Sequence, residues 1–423
     1  MIPIQQIRSE PDSIKSALSS RGIELDLGQM LVVDDERRNF ITKLDTLRSE
    51  RNTVSQDIGQ IKKEGGNADE AVIAMRKKGE EIQAMESKVN SLNEKIQNLL
   101  LELPNIPHET VPLGTGVRDN KIVREPKSPF ELNFSPKSHT DLGQSLNILA
   151  LEQGASMSGS GFPIYLGQGA RLERALINFM LDHHVTKHTY TEIFPPFLVR
   201  ENALVTTGQL PKFEEDMYRL KDDDLFLIPT AEVPVTNLHS GEIMNEIDLP
   251  LSYVAYTGCF RREAGSYGKE TRGLLRLHQF NKVELVKFVT PESSYEEHES
   301  LTTQAEEILQ LLELPYRVVN LCTGDLGFSA AKCYDLEVWA PGEKQWLEVS
   351  SCSNFEAFQA RRGNIRYRRT SDQKVDFVHT LNGSGLATPR LMVALLENHQ
   401  KEDGTVSIPE PLQPHFGSTT LRI

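Results

Sequence analysis

Cysteine is scarce in this 423-residue sequence, and its placement excludes the classes of protein that depend on it. The four cysteines are scattered along the second half of the chain: Cys259, Cys322, Cys333 and Cys352. They lack CxxC spacing and have no histidines paired with them at the separations of zinc ligands. We therefore expect no disulfide framework and no cysteine-based zinc site, but reduced thiols in the core of an intracellular protein.

Long apolar runs and a positive net charge are also missing. No segment approaches the roughly 20 apolar residues of a membrane span, and the first residues, MIPIQQIRSEP, have neither the basic start nor the apolar core of a secretion signal. The formal charge of −14 argues against broad binding to nucleic acid, so a nucleic-acid partner would have to be recognised locally. We expect a cytoplasmic protein without membrane association, and the length predicts two or three domains.

Residues 28–103 carry the hydrophobic pattern of two long helices with a glycine-containing break at Gly65-Gly66. The pattern predicts an antiparallel helical hairpin with limbs of about 35 residues, each roughly 50 Å long. Basic residues cluster towards its tip, and they are candidates for contact with an RNA backbone: Lys62, Lys63, Arg76, Lys77 and Lys78. A solvated coiled coil used for dimerisation is the alternative, and the pattern by itself favours it.

The chain after the hairpin divides into a linker and a second domain. Residues 104–129 are dense in proline and glycine and show no periodicity, which predicts a linker between an N-terminal domain, 1–103, and a second domain, 130–423. In the second domain, strand-like runs joined by hairpins alternate with helices. This order predicts an α+β fold with an antiparallel sheet.

Residues 259–284, CFRREAGSYGKETRGLLRLHQFNKVE, are interpreted as two antiparallel strands joined by a polar loop. Side chains two apart share a face of a strand, so Arg261 and Glu263 point together on the first strand. On the second strand the shared face carries Arg276, His278, Phe280, Lys282 and Glu284. This face offers four kinds of contact: a guanidinium for a phosphate, a carboxylate for an exocyclic amine, an aromatic ring for a purine, and a second carboxylate for an ammonium group. Together these contacts would hold ATP against an amino acid. The alternative is an exposed hairpin whose charges are solvated.

Two shorter segments offer further polar groups. Thr230-Ala231-Glu232 is predicted to end a strand just before Pro234, and a ligand-binding role is as well supported there as a strand end that caps a helix. On the strand EVSS, Glu348 and Ser351 present oxygen atoms suited to Mg²⁺. A regular strand would turn these two side chains to opposite faces, so joint coordination requires a bulge or a turn.

The segment HTLNGSGLATPRLMVALLEN predicts a strand, a glycine-rich turn through Gly383 and Gly385, and an apolar helix with Pro389 and Arg390 in its first turn. A helix N-terminus with an arginine suits an anion. The alternative is that Arg390 only forms a salt bridge at the surface. The helix dipole is already positive at this end, so a cation there is unfavourable without an anionic ligand, and the anion-binding interpretation is favoured. The five arginines between residues 361 and 369 suit either tRNA phosphates or local carboxylates, and the sequence does not choose between them.

Together these segments resemble class II aminoacyl-tRNA synthetases, and among them the bacterial-type seryl-tRNA synthetases. TEIFPPFLV at 191–199 is similar to the first class II motif, residues 260–284 to the second, and LNGSGLATPR at 381–390 to the third. TAE at 230, EVSS at 348 and an N-terminal arm ending in PNIPHE are similar to features of the seryl enzymes. The resemblance covers essentially the whole chain. It departs at Arg262, where serine is common, and at Asn281, where aspartate is frequent, and both are predicted to face away from the site.

The resemblance implies an antiparallel sheet of six or seven strands flanked by helices, a homodimer, and an arm that embraces the long variable arm of tRNA(Ser). It implies ATP and Mg²⁺ as cofactors, no zinc, and two-step attachment of L-serine to tRNA(Ser) through seryl-adenylate. Whether tRNA(Sec) is a second acceptor stays open.

The resemblance also assigns site residues. Arg261, on the serine carboxylate and the ATP α-phosphate, and Arg390, on the γ-phosphate, are the implied catalytic residues. The implied ATP-binding residues are Arg261, Arg262, Glu263, Leu277, Phe280, Glu348, Val349, Ser350, Ser351 and Arg390, with Glu348 and Ser351 on Mg²⁺. The implied serine-binding residues are Thr230, Ala231, Glu232, Arg261, Glu284, Asn382 and Ser384.

Three rival functions explain less of the sequence. A ligase that loads an amino acid onto a carrier protein would be expected to lack the helical arm. A catalytically dead paralogue would have lost some of Arg261, Glu263, Glu348 and Arg390, all of which are present. A coiled-coil scaffold accounts for residues 28–103 and for nothing after them.

Overall fold

The computed structural model describes residues 1–127, 129, 132–264 and 272–422. The chain divides into two compact units, Ile2–Pro104 and Asn105–Ile423 with Met1. Of the polar loop predicted between the two strands of residues 259–284, residues 265–271, with Gly265 and Gly268, lie outside the described residues.

The helices are numbered in chain order. They are α1 (Ile4–Ser9), α2 (Pro11–Ser20), α3 (Leu27–Lys63), α4 (Asp69–Leu101), α5 (His139–Ser145), α6 (Leu151–Ser158), α7 (Gly167–Lys187), α8 (Glu201–Thr207), α9 (Glu232–Thr236), α10 (Ser294–Leu311), α11 (Phe358–Gly363), α12 (Thr388–Asn398) and α13 (Gln413–Phe416). Among the described residues, no helix is long and apolar enough to cross a membrane.

The N-terminal unit contains the predicted helical hairpin, formed by α3 and α4. Its seam buries Leu44 against Ile82 and Val89, as the heptad spacing requires. The Asp26 side chain caps the start of α3 by accepting from Gly28 N at 2.8 Å. Charged pairs flank the seam, with Arg48 Nη2 2.7 Å from Glu86 Oε1 and Lys88 Nζ 3.2 Å from Glu36 Oε1.

The strands are also numbered in chain order. They are β1 (Lys121–Lys127), β2 (Leu149–Ala150), β3 (Ile164–Tyr165), β4 (Thr191–Ile193), β5 (Leu198–Val199), β6 (Phe226–Leu227), β7 (Ile243–Asn245), β8 (Leu251–Phe260), β9 (Gln279–Val289), β10 (Tyr316–Asn320), β11 (Lys332–Ala340), β12 (Gln345–Asn354), β13 (Arg366–Arg368), β14 (Val375–Phe377), β15 (His379–Ala387), β16 (Val406–Ser407) and β17 (Thr420–Leu421).

The second unit has the predicted α+β fold, built on one large sheet. In the described ranges its strand order is β1-β10-β11-β12-β15-β9-β8-β4, antiparallel throughout except for the parallel pair β4–β8. Helices α7, α10 and α12 bury leucines against it, among them Leu176, Leu309 and Leu395. This sheet has eight strands rather than the expected six or seven. One of the additional strands, β1, lies within residues 104–129, which the sequence assigns to a linker.

Two local predictions are wrong. Thr230-Ala231-Glu232 does not end a strand, because β6 stops at Leu227 and Glu232 begins the short helix α9; Pro234 is tolerated in the first turn of a helix, where no amide partner is lost. Gly383 and Gly385 do not form a turn, because β15 continues through both, with an irregularity at Gly385 in its pairing with β9. A Cβ at Gly383 would lie 2.4 Å from Leu301 Cδ2, and one at Gly385 2.9 Å from His184 Nε2. These glycines therefore permit close packing rather than a change of direction.

All four cysteines are free and buried, which confirms their predicted place in the core.

Candidate active site

A pocket of about 640 Å³ opens on the polar face of β9, β12 and β15, beside the end of β8. Its lining includes most of the residues that the sequence selected: Thr230, Glu232, Arg261, Glu263, Leu277, Phe280, Glu284, Glu348, Val349, Ser351, Asn382, Ser384 and Arg390. Ala231, Arg262 and Ser350 are not among the residues that line it. A volume of this size suits a nucleotide-sized ligand.

One end of the pocket combines an aromatic ring with a carboxylate. The Arg261 guanidinium lies 5.1 Å from the centre of the Phe280 ring, at cation–π distance. Its backbone is fixed because Arg261 N donates to His278 O at 2.8 Å. Glu263 follows the end of β8 with a positive φ of 51°, and Arg276 Nη2 holds its carboxylate at 2.5 Å.

His278 does not join this face, although the sequence placed it there. It stacks on Phe162 with 5.3 Å between ring centroids, and its Nδ1 lies 3.0 Å from Arg261 O. The strict alternation used for the prediction fails because Arg276 and His278 precede the first residue of β9.

The strand that carries Glu348 and Ser351 contains the β-bulge that joint coordination of a metal ion by these two residues requires. Where β12 pairs with β11, Glu348 lies opposite Glu337 but Ser350 lies opposite Leu336, so Val349 is the extra residue of a β-bulge. The bulge turns Glu348 and Ser351 to the same face, and both line the pocket.

A second carboxyl group lies beside this pair. Asp335 is opposite Ser351 across the strands, and burial, followed by the charge of Glu348, raises its pKa well above the usual range. The carboxyl groups of Asp335 and Glu348 and the hydroxyl of Ser351 form a set of oxygen donors, and a divalent cation would offset the effect of the Glu348 charge on Asp335. The donor set therefore fits Mg²⁺.

Arg390 enters the pocket from the first turn of α12. Every other residue of that helix is buried, whereas the side chain of Arg390 is 33% exposed. Its Nε donates to Leu275 O at 3.1 Å and its Nη1 to Glu348 O at 3.0 Å. These two backbone bonds orient the guanidinium while leaving part of it open to the pocket.

The other end of the pocket contains two buried carboxyl groups, those of Glu232 and Glu284. Burial, followed by the charge of Glu284, raises the pKa of Glu232 to about 7. Gln359 Nε2 donates to Glu232 Oε1 at 2.5 Å. Asn382 Nδ2 donates to Glu284 Oε1 at 2.8 Å, and Lys282 pairs with the other oxygen of Glu284. Two carboxylates in an enclosed space suit an ammonium group.

The three predicted residues outside the pocket have other surroundings. Ala231 is fully buried in a hydrophobic cluster, and Arg262 Nη1 donates to Glu215 O at 3.1 Å. The Ser350 hydroxyl donates to Ser384 O at 2.7 Å, so it braces the strand that carries Ser384 instead of facing the pocket.

Sequence reasoning missed four residues that hold the site in shape: Arg276, Lys282, Asp335 and Gln359. Arg276 and Lys282 were on the predicted strand face but were given no role. Asp335 becomes relevant only through its register opposite Ser351. Gln359 lies on α11, far from the recognised motifs, and nothing in the sequence marks it.

The arginine cluster, which the sequence left undecided, has local partners. Arg361 Nε donates to Met1 O at 2.6 Å, Arg362 Nη1 to Val205 O at 3.1 Å and Arg368 Nη1 to Gln373 O at 3.0 Å. Arg369 Nη2 pairs with Asp372 Oδ2 at 2.9 Å. These four arginines therefore act within the fold.

On the helical arm, Lys62, Lys63, Arg76 and Lys77 are exposed. Lys78 is partly buried and pairs with Glu50 across the hairpin.

The sheet, its bulged strand and the pocket define a class II aminoacyl-tRNA synthetase core, and the family model of the tRNA synthetase class II core domain (G, H, P, S and T) matches residues 212–399. A second model, the seryl-tRNA synthetase N-terminal domain, matches residues 1–107.

Curated relatives agree over the whole chain. The serine–tRNA ligase of Thermodesulfovibrio yellowstonii is 53% identical over 100% of both chains, and that of Geobacter sulfurreducens is 51% identical over 99% of both. The crystal structure of seryl-tRNA synthetase from Pyrococcus horikoshii complexed with ATP is 41% identical, with a TM-score of 0.92 over 100% of this chain and 99% of that one. The chain therefore belongs to the serine–tRNA ligase family.

Proposed function

We propose that this protein attaches L-serine to tRNA(Ser) in two steps, through a seryl-adenylate intermediate. The observation that carries the proposal is the single pocket that collects residues from four separate segments, around 230, 261–284, 348–351 and 382–390. In the first step a serine carboxylate oxygen attacks the ATP α-phosphorus and the bond to pyrophosphate breaks. In the second step a terminal ribose hydroxyl of the tRNA takes the seryl group and AMP leaves.

Catalysis in this scheme consists of positioning and charge stabilisation. Arg261 would lie between the serine carboxylate and the α-phosphate, where negative charge grows during the attack. Phe280 would stack on the adenine ring, Glu263 would accept from the adenine amino group, and the Leu277 backbone would bind the ring edge. Arg390 would hold the γ-phosphate. The cation–π contact of Arg261 with Phe280 supports this arrangement because it places the guanidinium beside the base-stacking surface.

Mg²⁺ would be held by Glu348 and Ser351, with ATP phosphate oxygens as further ligands. When bound, it supplies positive charge that neutralises the phosphates. The side chain of Glu348 is half exposed, at 48%, so it is accessible from the pocket. Val349 contributes the extra residue of the bulge that turns both ligands the same way.

Serine would bind at the end with the two buried carboxyl groups. Glu232, Glu284 and Thr230 surround its ammonium group, and Glu284, Asn382 and Ser384 contact its hydroxyl. A site built to hydrogen-bond a hydroxyl rejects alanine strongly, because the buried polar groups would otherwise lose their partner.

The helical arm would bind the long variable arm of tRNA(Ser), with tRNA(Sec) as a second acceptor to be tested. The exposed cations Lys62, Lys63, Arg76 and Lys77 near its tip support contact with a phosphate backbone. Deleting residues 32–100 should leave adenylate formation intact and abolish tRNA charging. Undiminished charging by the truncated chain would contradict the role of the arm.

We also propose a homodimer formed through the segment 191–199. Its strand β4 is at an edge of the large sheet, and the next residue, Phe194, is 78% exposed. A phenylalanine this exposed beside an open sheet edge is typical of an interface. A monomeric mass in sedimentation equilibrium at micromolar concentration would contradict this part of the proposal.

The activation step is tested by ATP–pyrophosphate exchange with each of the twenty amino acids. Exchange that depends on serine and on Mg²⁺ is expected, and Arg261→Ala should abolish it. Arg262→Ala is the matched control, since its neighbouring guanidinium bonds to Glu215 O and not to the pocket, and it should stay active. Exchange with another amino acid, or near-normal exchange by Arg261→Ala, would overturn the assignment.

A further inference from the structure

Three side chains that could bind a metal ion converge away from the pocket, at the C-terminal end of α7. His183 Nε2 lies 3.0 Å from Glu307 Oε1, and His188 Nε2 lies 2.9 Å from Glu307 Oε2. One ligand atom from each residue falls within 4.8 Å of the others. The two histidines come from α7 and the residue after it, and Glu307 comes from α10, so two packed helices hold the three groups.

The second nitrogen of His188 is also engaged. His188 Nδ1 lies 2.9 Å from His184 Nδ1, and His184 Nε2 lies 3.3 Å from Gly385 O. A carbonyl oxygen only accepts, so His184 Nε2 carries a hydrogen. His184 is fully buried, and a buried ring is more stable neutral. His184 Nδ1 is then an acceptor, and His188 Nδ1 is the donor.

The contact with His184 leaves Nε2 of His188 facing Glu307, 2.9 Å from one carboxylate oxygen. His183 Nε2 lies 3.0 Å from the other oxygen of the same carboxylate. Two imidazole nitrogens and a carboxylate therefore meet at one place, and these are ligand types found in zinc sites.

We propose that His183, His188 and Glu307 bind a divalent transition-metal ion, with zinc as the best match. Two imidazole nitrogens and a carboxylate are ligands that Zn²⁺ prefers, at about 2.0–2.2 Å, whereas Mg²⁺ and Ca²⁺ favour oxygen. The hydrogen bond from His188 Nδ1 to His184 is the kind of outer contact that orients metal-bound histidines. The histidine side chains are 11% and 9% exposed and Glu307 is 42% exposed, which leaves room for a water as the fourth ligand.

The site is separate from the Mg²⁺ ligands Glu348 and Ser351, and it does not depend on the proposed function. A bound ion would join the end of α7 to α10 just before β4, where Tyr190 OH already donates to Gln304 Oε1 at 2.7 Å. Its role would therefore be structural, and its effect would be seen first in stability and not in turnover. In the sequence, the histidines of this proposed site lie in the histidine-rich segment HHVTKH at 183–188.

The test uses the full-length protein, freed of metal by chelation and titrated with Co²⁺, whose visible absorption reports tetrahedral nitrogen and oxygen ligands. One Co²⁺ per chain is expected, displaced by Zn²⁺, with a rise in the thermal midpoint on Zn²⁺ addition. His183→Ala and Glu307→Gln should each weaken binding by at least tenfold, since even outer-contact changes cost about 10- to 100-fold in affinity.

The matched control is Glu242→Gln, which alters the exposed pair of His239 Nδ1 and Glu242 Oε2, 2.8 Å apart. This variant should bind Co²⁺ like the wild type. Absence of a visible absorption band, equal affinity of the wild type and Glu307→Gln, or an equal loss in Glu242→Gln would each overturn the proposal. Glu307→Gln changes a half-exposed side chain, so it is expected to fold, and its circular dichroism checks this directly.

Discussion

Gln359 forms a hydrogen bond with the Glu232 carboxyl group in the pocket and thereby influences its ionisation. It donates to Glu232 at 2.5 Å, and its own carbonyl accepts from Thr380 Oγ1 at 2.7 Å, which fixes the orientation of the amide. This bond lowers the pKa of Glu232 against the opposing effects of burial and of Glu284, which leave it at about 7. We predict that Gln359→Met, which keeps the volume and removes the donor, raises that pKa further.

The magnitude follows from the strength of a hydrogen bond to a charged group, about 1.5–3 kcal/mol, which corresponds to roughly one to two pKa units. At pH 7 the ionised fraction of Glu232 would then fall from about one half to somewhere between about a tenth and a hundredth. If ionised Glu232 binds the serine ammonium, the KM for serine at pH 7 should rise about fivefold or more. Above about pH 9.5 the variant and the wild type should converge, because the carboxyl is ionised in both.

The assay is serine-dependent pyrophosphate exchange between pH 6 and pH 9.5, with the KM for ATP measured alongside as an internal reference. Gln359→Met also leaves Thr380 without its acceptor, but that structural cost is the same at every pH. A serine KM raised equally at pH 7 and pH 9.5 would therefore refute the electrostatic reasoning. Gln304→Met, which removes the acceptor for Tyr190 OH outside the pocket, should not shift the pH profile.

Two further predictions concern the same pocket. Deleting Val349 should remove the β-bulge, turn Glu348 away from Ser351 and raise the Mg²⁺ concentration needed for exchange; an unchanged Mg²⁺ dependence would contradict the shared-face argument. Because the folded-state pKa of Glu232 is raised from 4.5 to about 7, the folded protein loses stability as pH rises through this interval, by on the order of 3 kcal/mol. The Glu232→Gln variant has no carboxyl group to titrate, so the difference between its thermal midpoint and that of the wild type should rise in favour of the variant between pH 4.5 and pH 8. Thermal midpoints of the two proteins that change in parallel with pH would contradict the raised pKa of Glu232.

Much of the fold can be predicted from the spacing of apolar and polar residues within single segments of the sequence. The seam residues Leu44, Ile82 and Val89 repeat at heptad spacing over long helices, and such amphipathic helices have few alternatives to pairing with each other. The antiparallel pair β8 and β9 was also predicted, but the alternation extended too far, because Arg261 and Glu263 lie beyond the end of β8 and Arg276 and His278 lie before the start of β9.

The predictions that were wrong concern residues whose positions depend on contacts between distant segments of the chain. Gly383 and Gly385 suggested a turn, but the space left by their missing side chains is occupied by Leu301 and His184 from helices elsewhere in the chain. Alternation beyond the end of a strand misplaced His278, since the register stops applying where β9 begins. Gln359 carried no signal at all, because a glutamine becomes a functional neighbour of Glu232 only once α11 has packed.

The ion pairs across the helical arm limit how such an arm can change in length. Arg48 meets Glu86 and Lys78 meets Glu50, so these residues on the outgoing helix are paired with residues at a similar distance from the turn on the returning helix. Removing residues from one limb alone would shift every pair beyond the deletion and rotate the apolar seam out of register. Insertions and deletions in this family should therefore occur in both limbs together and in steps of about seven residues, the repeat that preserves a coiled-coil seam.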